Sequence, residues 1–130
     1  MKKTVFIFLF LTVSSSKLFA QQALKQALDD FHYTLAFTYH PMADDSNFTP
    51  IRKRSAQLAA SAEKVKRVTD SLATKNSLLA KNIDQLTEQC QELDGFIQKG
   101  TTDDAIRIQL TAIHSKFHEI DEMVSGGKKE

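Results

Sequence analysis

Between Leu79 and Ile97 the apolar residues Leu79, Ile83, Leu86, Cys90, Leu93 and Ile97 follow one another at alternating spacings of four and three. That alternation keeps one stripe of an α-helix apolar and leaves the opposite face to water, so the helix is stable only against other helices. A strand cannot use the pattern, because its successive side chains point to opposite faces. The same period runs through the rest of the chain. Leu24, Leu28, Phe31 and Leu35 carry it in residues 22–39, and Ile51, Leu58, Ala62, Val65 and Leu72 carry it in a second segment. Ile106, Leu110, Ile113, Phe117, Ile120 and Val124 carry it in the last. No stretch alternates apolar and polar residues with strand-forming types. The chain is therefore predicted to be all-α, an up-down-up-down four-helix bundle with mostly short connections.

The boundaries have chemical markers. The first helix is expected to stop near His40, because the residue before Pro41 is pushed out of helical conformation. Residues 40–48 then read as a nine-residue loop folded back along the bundle. Thr49 as a capping hydroxyl and Pro50 at the first helical position start the second helix. Glu63 with Arg67 and Lys66 with Asp70 stand four apart on its polar face. Residues 74–77 are read as a tight turn with Asn76 or Ser77 as cap, one continuous long helix being the alternative. Gly95 weakens the third helix locally and Gly100 ends it; Thr101 or Thr102 caps the fourth, with Asp103 and Asp104 suited to its positive N-terminal end. Arg52, Lys53 and Arg54 crowd the first turn of the second helix, where cations are disfavoured; they are expected to pair with Asp44 and Asp45, the alternative being a bound anion.

The first twenty residues differ from the rest. Met1-Lys2-Lys3 is basic, Val5 to Val13 is apolar apart from Thr12, and Ser14 to Lys17 is polar before Leu18-Phe19-Ala20. This order reads as a secretory signal peptide cut after Ala20. The expected organisation is a signal peptide over 1–20, the bundle over 21–124 and a disordered tail over 125–130. The apolar run is shorter than the roughly 20 residues a membrane-spanning helix needs, so no stable membrane insertion is expected after cleavage. The mature chain is expected in the periplasm or outside the cell. Loss of Lys2, Lys3 and Lys17 takes the formal charge from +1 to −2. A near-neutral domain has no bulk electrostatic reason to bind nucleic acid. Cys90 is the only cysteine, so no internal disulfide can form despite the oxidising destination.

The candidate chemistry lies in the last helix. His114 and His118 are four apart and share a face, and at about 100° per residue Asp121 falls beside them. Two imidazoles and a carboxylate can ligate a transition metal such as copper, zinc or iron. His40, carried by the folded-back loop, is the expected partner from another segment. His32, Cys90 and Met42 are further candidates. Each also has a plain reading: Cys90 as a small core residue, Met42 as a loop residue packed on the bundle end, and His32 as a surface polar residue. No Gly-rich phosphate loop and no nucleophile with an evident base is present, so no enzyme is expected.

Ala112-Ile113-His114-Ser115-Lys116-Phe117 resembles the last-helix segment of the periplasmic four-helix haem proteins, the soluble b-type cytochromes and cytochrome c-prime. That resemblance implies a haem b bound with His114 as axial ligand. The pattern departs from that group in two places: no methionine stands between Gln21 and Tyr39, and a single cysteine cannot make a Cys-x-x-Cys-His attachment. The chain also resembles small exported bacterial proteins with a His-Pro after the first helix and a His-x3-His near the end, which implies that the two histidine motifs act together. The expected function is an exported bundle binding a transition metal or haem, for electron transfer or metal handling. The alternative is a metal-free structural or interaction module with a protein partner or a second copy of itself.

Overall fold

The structure, a computed structural model, describes residues 2–72 and 77–126, with side chains from Ser15 onward and Ser77 described by its backbone. Four helices make the fold: α1 (Lys2–Asp45), α2 (Thr49–Ser71), α3 (Ser77–Gln98) and α4 (Asp103–Val124). Among the described residues there is no strand. Each helix lies beside two neighbours, α1 beside α2 and α4, and α3 beside α2 and α4. This is an antiparallel four-helix bundle, as the apolar period predicts. All six residues of the α3 seam are buried, and they meet Phe31 and Leu35 of α1, Leu58 and Val65 of α2, and Leu110 and Ile113 of α4 in one core. Burying each such side chain stabilises the fold by ~1.5–3 kcal/mol. Packing begins at Leu24; the preceding Leu18 and Phe19 are 63% and 71% exposed, though α1 continues without a break from Lys2. No helix of the described residues is long and apolar enough to cross a membrane.

The first connection departs from expectation, and the departure matters for the site. Residues 40–45 are not loop: α1 runs through Pro41 to Asp45, leaving only residues 46–48 between helices. Pro41 cannot donate to the Phe37 carbonyl. Phe37 stands on an exposed face, 45% accessible, where water can take that bond. Beyond the proline, Met42 is 1% exposed and seated in the core, so tertiary packing holds a turn that local propensity disfavours. Ser46, at φ 52°, then ends the helix, its N–H donating to the Met42 carbonyl at 3.1 Å while Asn47 N–H reaches Pro41 O at 2.9 Å.

The start of α2 also differs. Thr49 is already helical and supplies no cap; its own N–H donates to Asn47 Oδ1 at 3.1 Å. Arg52 pairs with Asp103 at 2.6 Å and donates to the Thr101 carbonyl at 3.0 Å rather than pairing with Asp44 or Asp45. Arg54 lies over the Phe37 ring at 4.2 Å. Other expectations hold. Gly100 (φ 83°) ends α3, and Thr102 Oγ1 accepts from Ala105 N at 3.2 Å to cap α4. Glu63–Arg67 and Lys66–Asp70 pair on the polar face of α2 at 3.6 and 3.1 Å. α2 ends at Ser71 with Leu72 as its C-cap, and α3 begins at Ser77. Residues 74–76 of the expected turn, with the Asn76 cap, and residues 127–130 of the tail lie outside the described residues.

Candidate metal centre

On α4, His114 and His118 project one turn apart with their Nε2 atoms 3.3 Å from each other, ring centroids 4.5 Å apart and ring planes at 80°. At that distance one Nε2–H donates to the other Nε2, whose ring then carries its proton on Nδ1. The two Nε2 atoms thus stand at hydrogen-bonding distance, the donor being set by the tautomer. Antiparallel α1 brings the other two histidines of the chain to the ends of this pair. The His40 ring lies 6.3 Å from His114, and the His32 ring 6.2 Å from His118. All four histidines form one row along the α1–α4 seam.

Aromatic rings fix the row. Tyr39 stacks face to face on His114 at 3.9 Å and 7°, and Phe117 stacks on His32 at 4.7 Å and 19°. Phe117 is itself buried against Phe31 at 5.6 Å, which links the surface row to the core. Such ring pairs add ~0.5–1.5 kcal/mol each beyond the area they bury. Arg107 holds the end of α1 against α4: it donates to the Met42 carbonyl at 3.3 Å and to Ser46 Oγ at 3.0 Å, and its guanidinium lies 5.1 Å from the Phe48 ring centre. This clamp sets the height of His40 relative to His114.

The surroundings of His114 favour an available lone pair on that ring. Burial, then the neighbouring His118, His40 and His32, hold the His114 imidazole below its ordinary value, which favours the neutral form. Lys116, the nearest cation in sequence, is turned to α3, where it donates to Asn82 Oδ1 at 3.0 Å and to Glu119 at 2.7 Å. The Asp44 carboxylate stands 3.9 Å from His40 Nδ1, near enough to interact by charge but too far to hydrogen-bond.

The remaining sequence candidates fall elsewhere. Asp121 lies one turn beyond His118 and lines a surface pocket with His32, Phe117 and Lys25, where its charge adds to that of Asp29 in raising the Lys25 ammonium. Cys90 is 1% exposed in the core, and burial pushes its thiol up to about 12, so it stays protonated and unavailable as a ligand. Met42 is a core side chain of α1 rather than a loop residue. Among the described residues no three His, Cys, Asp or Glu side chains already stand close enough to hold an ion. The preformed element is the His114–His118 pair. Tyr39 and Phe117 escaped the sequence reading as site residues, since an aromatic at a seam position signals only packing.

A scan against protein-family models, a search of curated proteins and a search of solved structures each found no match to this chain.

Proposed function

We propose that this protein is an exported helical bundle, of the periplasm or the cell exterior, that binds a divalent transition-metal ion through His114 and His118, with His40 as a third donor. The observation that carries the reading is the 3.3 Å separation of the two Nε2 atoms. Two imidazole nitrogens each ~2.0–2.1 Å from a tetrahedral ion stand ~3.3 Å apart. The pair therefore has the bite of a zinc or copper site before any ion arrives. Imidazole donors suit zinc, copper, nickel and iron, and handling of such an ion is the role that fits best.

A haem fits less well. An axial histidine must aim Nε2 into an apolar slot, whereas His114 Nε2 is aimed at His118 and Tyr39 covers the ring. A metal-free interaction module remains the second reading, favoured by Tyr33 (72% exposed) and Phe37 (45% exposed), four residues apart on α1.

Calorimetric titration of the purified chain with zinc and with copper(II) separates these readings. One ion per chain for the wild type, with no binding by His114→Ala, is expected. A wild type that binds neither ion would sink the proposal and leave the interaction module.

A further inference from the structure

We propose that Tyr39 is the positioning residue of the metal centre: its ring holds the His114 imidazole in place and favours that imidazole once an ion is bound to it. This rests on the His114–His118 reading above and names what fixes one donor of that same site. Tyr39 and His114 lie face to face, with ring centroids 3.9 Å apart and planes at 7°. Two electron-rich rings prefer an offset or edge-on arrangement, because their negative faces repel. A full-face stack this close suits an electron-rich ring over an electron-poor one. A dication on Nε2 draws electrons from the His114 imidazole and leaves the phenol face as its complement. The observed stack is therefore the one that a metal-bound ring favours.

The two donors are held differently. His118 is exposed, and its ring contacts among the described residues are all edge-on, at 80° to His114, 64° to Phe117 and 72° to His32. His114 is the part-buried member of the pair and the one with a stacked face. Tyr39 is itself fixed: it packs against the core, and His40 meets its ring edge-on at 5.6 Å. The helical turn that follows it, through Pro41, is tied to α4 by Arg107, which donates to the Met42 carbonyl at 3.3 Å. Stacking from the α1 side thus makes His114 Nε2 the anchor, 3.3 Å from His118 Nε2, while the exposed His118 ring adjusts to the ion. Holding one donor in place lowers the ordering cost of binding.

Zinc titration of the full chain, above the ordinary imidazole value of ~6.5, tests this. Tyr39→Phe keeps a ring on His114 and should bind within ~3-fold of the wild type. Tyr39→Leu, with no π face, should bind at least ~10-fold more weakly at unchanged helical content. The chain has two tyrosines and no tryptophan, so zinc beside Tyr39 should also perturb the near-ultraviolet tyrosine absorption. That difference band should persist in Tyr33→Phe, saturate as zinc binds, and vanish in Tyr39→Phe. A role in packing alone would show as lower ion-free stability with no such band. If Tyr39→Leu binds as tightly as the wild type, or if zinc saturates Tyr33→Phe without a band, the role of Tyr39 is overturned. The His114–His118 reading then stands provided that His114→Ala binds nothing. If His114→Ala binds as the wild type does, both fall.

Discussion

Two glycines five residues apart should respond to the same substitution with opposite sign. Gly95 lies within α3 with helical backbone, and a Cβ added there would meet nothing within 4 Å. Gly95→Ala removes the excess freedom of glycine in the unfolded chain and should stabilise by ~0.5–1 kcal/mol. At Gly100 φ is +83°, and a Cβ there also meets nothing within 4 Å, so the effect is confined to the backbone. This glycine closes α3: its N–H donates to Ile97 O at 3.0 Å, and its left-handed backbone turns the Thr101 N–H back to donate to Phe96 O at 3.1 Å. An L-residue there costs ~1–2 kcal/mol, partly offset by the ~0.4–1 kcal/mol gained through the unfolded state. The two variants should differ by ~1–2 kcal/mol. In urea, with a slope of ~1–3 kcal/mol/M, that is a separation of midpoints near ~1 M, Gly95→Ala above the wild type and Gly100→Ala below. Midpoints moving in the same direction would refute the account of how α3 is built and ended.

Two further outcomes follow from the titrating groups. Cys90, with its thiol pushed up to about 12, should not react with a thiol reagent at pH 8 in native protein and should react fully in concentrated urea; fast native labelling would contradict the seam packing. Because His114 is held below its ordinary value of 6.5, the unfolded chain takes up its proton first as pH falls, so the His114 contribution is present above about pH 6.5 and lost as pH falls through the lower folded value. With chelator present, urea midpoints at pH 7.5 and 5.0 should differ less for His114→Gln than for the wild type; an equal or larger difference would be inconsistent with the burial of this ring.

The fold was legible because one period governs it. The seam from Leu79 to Ile97 names its own buried face, and Gly100 and Thr102 mark a turn by chemistry that acts locally. The error at His40 came from weighing Pro41 by its local effect alone. Packing of Met42, the exposed position of Phe37 and the Arg107 clamp decide that turn, and none of them is local in sequence. Half of the site was legible for the same reason as the fold: His114 and His118 are neighbours on one helix. The pairing of His40 with His114 was anticipated, although through a loop rather than a helix. The place of His32 opposite His118 was not, because the register between α1 and α4 is set by Tyr39, Phe117 and Arg107. Once α1 is known to pass Pro41, the spacing His32-Ala36-His40 makes the row visible.

The central claim is that the two α4 histidines share one ion through Nε2. Nitrogen-15 spectra of the imidazoles, recorded as zinc is added to the full chain, test it directly. The Nε2 signals of His114 and His118 should shift together, and the change should be complete at one ion per chain. Histidine signals that stay in place while zinc is added, or that move only after several equivalents, would contradict it.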